Sequence, residues 1–127
     1  RLAMVTLVVD EYDTAIAYYR DALGFELVED TRLSDVKRWV VMRPDSGGAH
    51  VLLAQAASDE QRAAIGRQTG GRVGFFLHTA DFDADVQRMT DAGVDFTEQV
   101  RHEDYGRVVV IRDLYGNKWD IVERSGL

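Results

Sequence analysis

The chain has 127 residues, 46% of them apolar and 29% charged, with no cysteine and a formal net charge of −7. That length supports one domain with its own core rather than two independent ones, and the lack of cysteine excludes disulfides, a thiolate nucleophile and a cysteine metal site, which suits a reducing cytoplasm. The negative balance disfavours nucleic acid and anionic membranes as partners, and no apolar run approaches the ~20 residues that a membrane helix needs.

Arg1 stands where an initiator methionine would, so processing or trimming ahead of it is expected. Residues 2–9 read as a strand. Val5, Leu7 and Val9 share one face, and Met4, Thr6 and Val8 share the other, by the period of two. Asp10-Glu11-Tyr12-Asp13 opens a helix, with Asp10 or Asp13 as its cap and the acidic cluster at the positive end of the helix dipole. Ala15, Ile16, Tyr19 and Leu23 form its buried stripe, and Gly24 ends it. Residues 25–30 form a second strand, 31–35 a loop and 36–43 a third strand, followed by the turn Pro44-Asp45-Ser46-Gly47-Gly48. Ser58-Asp59-Glu60-Gln61 has the form of a capping box and starts a short helix that Gly66 and Gly70-Gly71 break. Residues 57–71 are thus a helical linker.

The second half of the chain repeats the first. Residues 72–79 form a strand like 2–9, and Asp81-Phe82-Asp83 matches Glu11-Tyr12-Asp13 at an offset of 70. The helix after it turns Phe82, Val86 and Met89 inward. Asp91-Ala92-Gly93-Val94 echoes residues 21–25 with one residue deleted, which lowers the offset to 69. RVVVIRDLYGNKWDIVE, from Arg107 to Glu123, then aligns at that offset with RWVVMRPDSGGAHVLLA, from Arg38 to Ala54. Arg38, Val40, Val41, Arg43 and Gly47 fall on identical residues, in the same order of strand, turn and strand. The chain is therefore a single domain, 1–127, built as a tandem duplication of modules 1–56 and 72–127, each strand-helix-strand-strand-strand.

With these motifs the sequence resembles the vicinal oxygen chelate superfamily, which includes glyoxalase I, bleomycin-resistance proteins and extradiol dioxygenases. The resemblance is carried by VTLVVDEYDTAIAYYRDALGFEL (Val5 to Leu27) and RDLYGNKWDIVE (Arg112 to Glu123). It implies an α+β fold of two tandem βαβββ modules that form one curved mixed-sheet cleft, usually in a dimer. In the superfamily's enzymes that cleft holds a divalent metal on one ligand from the first and last strand of each module. The corresponding positions here are Met4, Val51, Gly74 and Asp120. Only Asp120 can bind a hard or borderline cation, where such a site needs about three or four N or O ligands. His78 lies about 13 Å along its strand from Gly74, His50 points away from the Val51 face, and His102 sits in an acidic loop. Neither a metal nor a cofactor is therefore expected.

The expected cleft face carries Met4, Thr6, Val8, Val51, Leu53, Gly74, Phe76, His78, Asp120 and Val122, with Trp39 and Tyr105 beside it. Gly74 leaves room, the aromatic rings suit a flat or cationic ligand, and Asp120 is a charge anchor. Asp120 is also the one candidate catalytic residue, as a base raised in pKa by an apolar cleft, unless it pairs with Arg38 or Arg107. The expectation is a homodimeric, metal-independent small-molecule binder like the bleomycin-resistance branch. The alternative is a glyoxalase- or dioxygenase-type enzyme with an unconventional or partial metal site.

Overall fold

The computed structural model describes residues 1–45 and 47–124. Ser46 of the expected first turn and the last three residues of the expected second module lie outside the described residues. The first module is β1 (Met4–Val9), α1 (Tyr12–Asp21), β2 (Glu26–Arg32), β3 (Arg38–Arg43) and β4 (His50–Gln55). After the short α2 (Asp59–Ala64) come β5 (Val73–Thr79), α3 (Phe82–Asp91), β6 (Asp95–Phe96), β7 (Arg101–Glu103), β8 (Gly106–Arg112) and β9 (Lys118–Glu123). Each module makes its own mixed sheet. The first has strand order β1-β4-β3-β2; the second runs β5-β9-β8-β6, with β7 also on β8. In both, the strand before the helix pairs in parallel with the last strand, β1 with β4 and β5 with β9. Among the described residues no helix is long and apolar enough to cross a membrane.

The second module departs from five-element regularity where β2 has its counterpart. Residues 97–100 interrupt that strand, leaving β6 and β7. Thr97 donates its backbone N–H to the Val110 carbonyl, and the Glu98 carboxylate accepts the Val110 N–H. A side chain thus takes the place of one ladder bond, so the backbone can leave the sheet without orphaning a buried group.

Helix α1 is capped by Glu11, whose carboxylate accepts the N–H groups of Asp13 and Thr14, rather than by Asp10 or Asp13 as the acidic cluster suggested. Those bonds hold the Glu11 carboxyl below its ordinary pKa. The expected stripe of Ala15, Ile16, Tyr19 and Leu23 is buried, and Gly24 ends the helix at φ +75°. In α2 the Ser58 hydroxyl accepts the Gln61 N–H, as the capping-box pattern requires.

One core spans both modules. Leu7, Val9, Tyr19, Phe25 and Met42 from the first pack with Phe82, Met89, Ile111, Trp119 and Ile121 from the second. Polar bonds reinforce the junction. The Tyr19 hydroxyl donates to Asp113 at 2.6 Å, the Tyr115 hydroxyl to Asp10 at 2.7 Å, and Arg88 to the Ala22 carbonyl at 3.2 Å. The linker adds a third tie. The Gln68 side chain accepts the Val8 N–H at 2.5 Å and donates to the Thr6 carbonyl at 3.0 Å, so its amide acts as a short strand on the free edge of β1.

The two sheets carry the same clamp. Arg38 opens β3, lies over the Tyr12 ring and bonds Asp13 and Asp30; Arg107 near the start of β8 lies over the Phe82 ring and bonds Asp83 and Glu123. Each guanidinium closes the start of its module's helix against its own sheet. Hydrogen bonds from the Arg107 side chain and then its backbone bring the Glu123 carboxyl down to about 2. With its folded pKa below the unfolded one, this pair stabilises the protein above the ordinary glutamate range, and the contribution disappears as pH falls toward 2. A carbon-detected NMR titration should place the Glu123 midpoint near 2, and Arg107→Ala should return it to the ordinary glutamate value. An unshifted wild-type midpoint would contradict the clamp.

Candidate functional site

The pairing of the strands decides which side chains share a face. Val5 pairs with Val51 and Leu7 with Leu53, and all four turn toward the core. The face shared by Met4 and Thr6 carries His50 and Leu52 from β4 instead. Val51 and Leu53 are therefore corrections: they were expected on the cleft face and are buried on the opposite one, at 5% and 1% exposure. The cause is a single residue in the turn. Met42 faces Val51 where Ile111 faces Trp119, so the offset between modules is 69 on the first strand of the hairpin and 68 on the second. A one-residue slip moves every side chain of a strand to its other face. The partner of Thr6 is Leu52, just as the partner of Phe76 is Asp120. The position equivalent to Asp120 is thus Leu52, which is no better a ligand than Val51.

In the second module Gly74, Phe76 and His78 alternate with the core-facing Phe75 and Leu77, and Phe76 and His78 pair with Asp120 and Val122. Phe76 is 64% exposed, Thr6 is exposed, and Val122 is buried outside the core cluster. Trp39 sits on β3 opposite Thr31, two residues before Val41, which pairs with Leu52; it thus shares the Met4 and Thr6 face. Tyr105, between β7 and β8, is half exposed under the Arg124 guanidinium. The expected space at Gly74 is occupied, because a Cβ there would run into the Thr69 side chain.

Asp120 pairs with neither Arg38 nor Arg107, both of which are engaged in the clamps. Its Oδ1 is buried and makes no hydrogen bond among the described residues. Burial raises its pKa; Arg101 opposes that, and Glu98 adds to it. Arg101 itself is bonded to Glu98 and Glu103. Around this carboxylate the donor set does not fit the divalent metal of the fold's enzymes. Met4, Leu52 and Gly74 contribute no N or O side-chain ligand, and among the described residues no three of His, Asp or Glu converge.

A cavity lies elsewhere, at the junction of the modules along the free edge of β5. It encloses about 580 Å³, within the range of small-molecule sites. Its walls are aromatic: Phe75 stacks on Trp119 at 4.5 Å, and Phe25 meets Trp119 edge-on at 5.7 Å. Phe76, Leu77, His78, Val5, Val51 and Gly74 complete the strand side, while Pro44, Gly47 and Gly48 of the first turn and Arg124 form the rim. Four expected site residues, Val51, Gly74, Phe76 and His78, therefore meet here; Met4, Thr6, Trp39, Tyr105, Asp120 and Val122 do not line the cavity. Phe75, Trp119 and Arg124 were missed. Phe75 and Trp119 lie on the faces opposite those expected to bind, and no spacing in the sequence marks a cavity on the core side of the sheet.

Three comparisons bear on this architecture. Residues 1–121 match the family model of the Glyoxalase/Bleomycin resistance protein/Dioxygenase superfamily. A protein of Shewanella frigidimarina (strain NCIMB 400) is 47% identical over 121 residues, covering 94% of this chain and 90% of its own. Among solved structures, UcmS2 superposes with a TM-score of 0.81 at 27% identity, covering 97% of both chains. TnmS3, described as an antibiotic-binding protein from Streptomyces sp. CB03234, has the same fold at a TM-score of 0.76 and 22% identity, covering 98% of this chain and 96% of its own.

Proposed function

The chain belongs to the Glyoxalase/Bleomycin resistance protein/Dioxygenase superfamily, and from that premise we propose that it is a metal-independent small-molecule binder of the bleomycin-resistance kind. The observation that carries the reading is the aromatic-walled cavity of about 580 Å³ in a fold whose metal positions hold Met4, Leu52, Gly74 and a single carboxylate, Asp120. Phe75, Phe76 and Trp119 offer ring faces for stacking without chemistry. That a protein of the same fold, TnmS3, is described as antibiotic-binding is consistent with this use. The protein acts as a homodimer in this reading. A second copy would cover the exposed faces of Thr6, shared with Met4 and Trp39, and of Phe76, shared with Asp120 and Val122.

The test combines two measurements. Calorimetric titration with a panel of flat aromatic compounds is expected to find ligands binding below ~1 mM, an affinity of about −4 kcal/mol. Elemental analysis after incubation with Mn, Fe, Ni and Zn salts and dialysis is expected to find no stoichiometric metal. Retained metal would overturn the metal-independent reading.

A second reading, an enzyme of the glyoxalase or dioxygenase type, is favoured by the buried Oδ1 of Asp120, which has no hydrogen-bond partner among the described residues, and by its raised pKa. A carboxylate in that state can take a proton from a bound substrate. In that case Asp120→Asn abolishes turnover and leaves ligand affinity in place; loss of affinity alone would assign Asp120 to binding.

A further inference from the structure

We propose that the cavity between the modules selects an aromatic molecule carrying an anionic group, with Arg124 as its charge partner. This rests on the proposed binding function and adds the ligand's charge, which the acidic composition of the chain would have put the other way.

The formal net charge is −7, yet among the described residues no carboxylate lines the cavity, and the titratable ones that do are His78 and Arg124. Two nearby carboxylates of β9 are engaged or turned away: Glu123, one position before Arg124, is held by Arg107, and Asp120 lies on the opposite face of β9 from the cavity wall residue Trp119. The Arg124 guanidinium lies 6.0 Å from the centroid of the Tyr105 ring, a cation–π contact that leaves its N–H donors directed elsewhere than at the ring. Among the described residues it forms no ion pair. The fixed fork of an arginine matches a carboxylate or sulfonate in two parallel bonds. A ligand ring against the aromatic wall, with an anionic head toward Arg124, satisfies both parts of the site at once. A neutral ring uses only the walls. A cationic ring meets a like charge at the rim.

A matched series on one ring separates these cases: 1-naphthoate, 1-naphthalenemethanol and 1-naphthylmethylammonium, titrated by calorimetry into the wild type and Arg124→Gln. Naphthoate is expected to bind tightest, the alcohol up to about fivefold weaker, as for a partly exposed charge pair, and the ammonium weakest. Arg124→Gln should reduce naphthoate to the affinity of the alcohol and leave the alcohol unchanged, and added salt should weaken naphthoate alone. Equal binding of naphthoate and alcohol, or a naphthoate preference that survives Arg124→Gln, would overturn the proposal while the binding reading stands. Tightest binding of the ammonium would overturn it in favour of Asp120 as the anchor. Failure of all three below ~1 mM would overturn it together with the reading on which it rests.

Discussion

Replacing Asp113 by alanine is expected to remove about 4 kcal/mol of folding stability, the range found when a buried charged group leaves its partners unsatisfied. Asp113 is 6% exposed and stands in the turn between β8 and β9. Its Oδ2 accepts the Tyr19 hydroxyl at 2.6 Å, the Trp119 indole N–H at 2.9 Å and the Asn117 amide at 3.1 Å. Its Oδ1 accepts the backbone N–H groups of Tyr115 and Asn117, both at 3.0 Å. The carboxylate thus holds the turn, fixes the indole that forms a wall of the cavity, and ties α1 of the first module to the second. Alanine would leave all five donors in an apolar setting. Tyr19→Phe removes only one donor together with its need for an acceptor, so its cost should be about 1 kcal/mol. Urea unfolding of the two variants checks this, and a loss below about 1.5 kcal/mol for Asp113→Ala would mean that the network relaxes onto water. Ligand affinity should fall in the same variant at temperatures where it remains folded, because Trp119 loses its orientation.

That network was not legible in the sequence, although all of it except Tyr19 lies in the stretch from Arg112 to Glu123 that helped carry the family resemblance. The turn chemistry of Asp113 to Asn117 was visible, because glycine and asparagine there admit only a few backbone paths. Its contact with Tyr19, 94 positions away, was not. The duplication was legible because two modules with the same alternation of strands and helix leave the same apolar periodicity twice. The inward faces of α1 and α3 followed from helical spacing. The face of β4 did not, because an ungapped alignment carried the offset of 69 through a turn where it changes to 68. Periodicity shows that two faces exist; only register shows which is which. The cavity was hidden for a related reason. It opens at the junction of the modules, where Phe75 and Trp119 follow the same apolar alternation as any core residue, and its volume depends on how the modules meet.

The linker is where that meeting is fixed, and a pair of glycines there provides the second large effect. Gly66→Ala is expected to destabilise the protein by about 3 kcal/mol, while Gly70→Ala costs only about 1 kcal/mol. Both residues have left-handed backbones, at φ +76° and +66°. Any L side chain is disfavoured at both to a similar degree. Their surroundings differ. A Cβ on Gly70 meets nothing within 4 Å among the described residues, whereas one on Gly66 would overlap the Tyr115 carbonyl oxygen, part of the backbone of the β8–β9 turn. The backbone cannot rotate away as a side chain could, and this turn is held by Asp113. The linker would have to move instead. Gln68 would then leave the edge of β1, and Thr69 would leave the gap at Gly74. Hydrogen exchange at the Val8 amide reads this directly: it should be faster in Gly66→Ala at matched global stability and unchanged in Gly70→Ala. Equal losses in the two variants would reduce Gly66 to a backbone requirement alone. A larger loss at Gly66, accompanied by exposure of Val8, would identify the linker as the strap that sets the two modules against each other and so sets the width of the cavity between them.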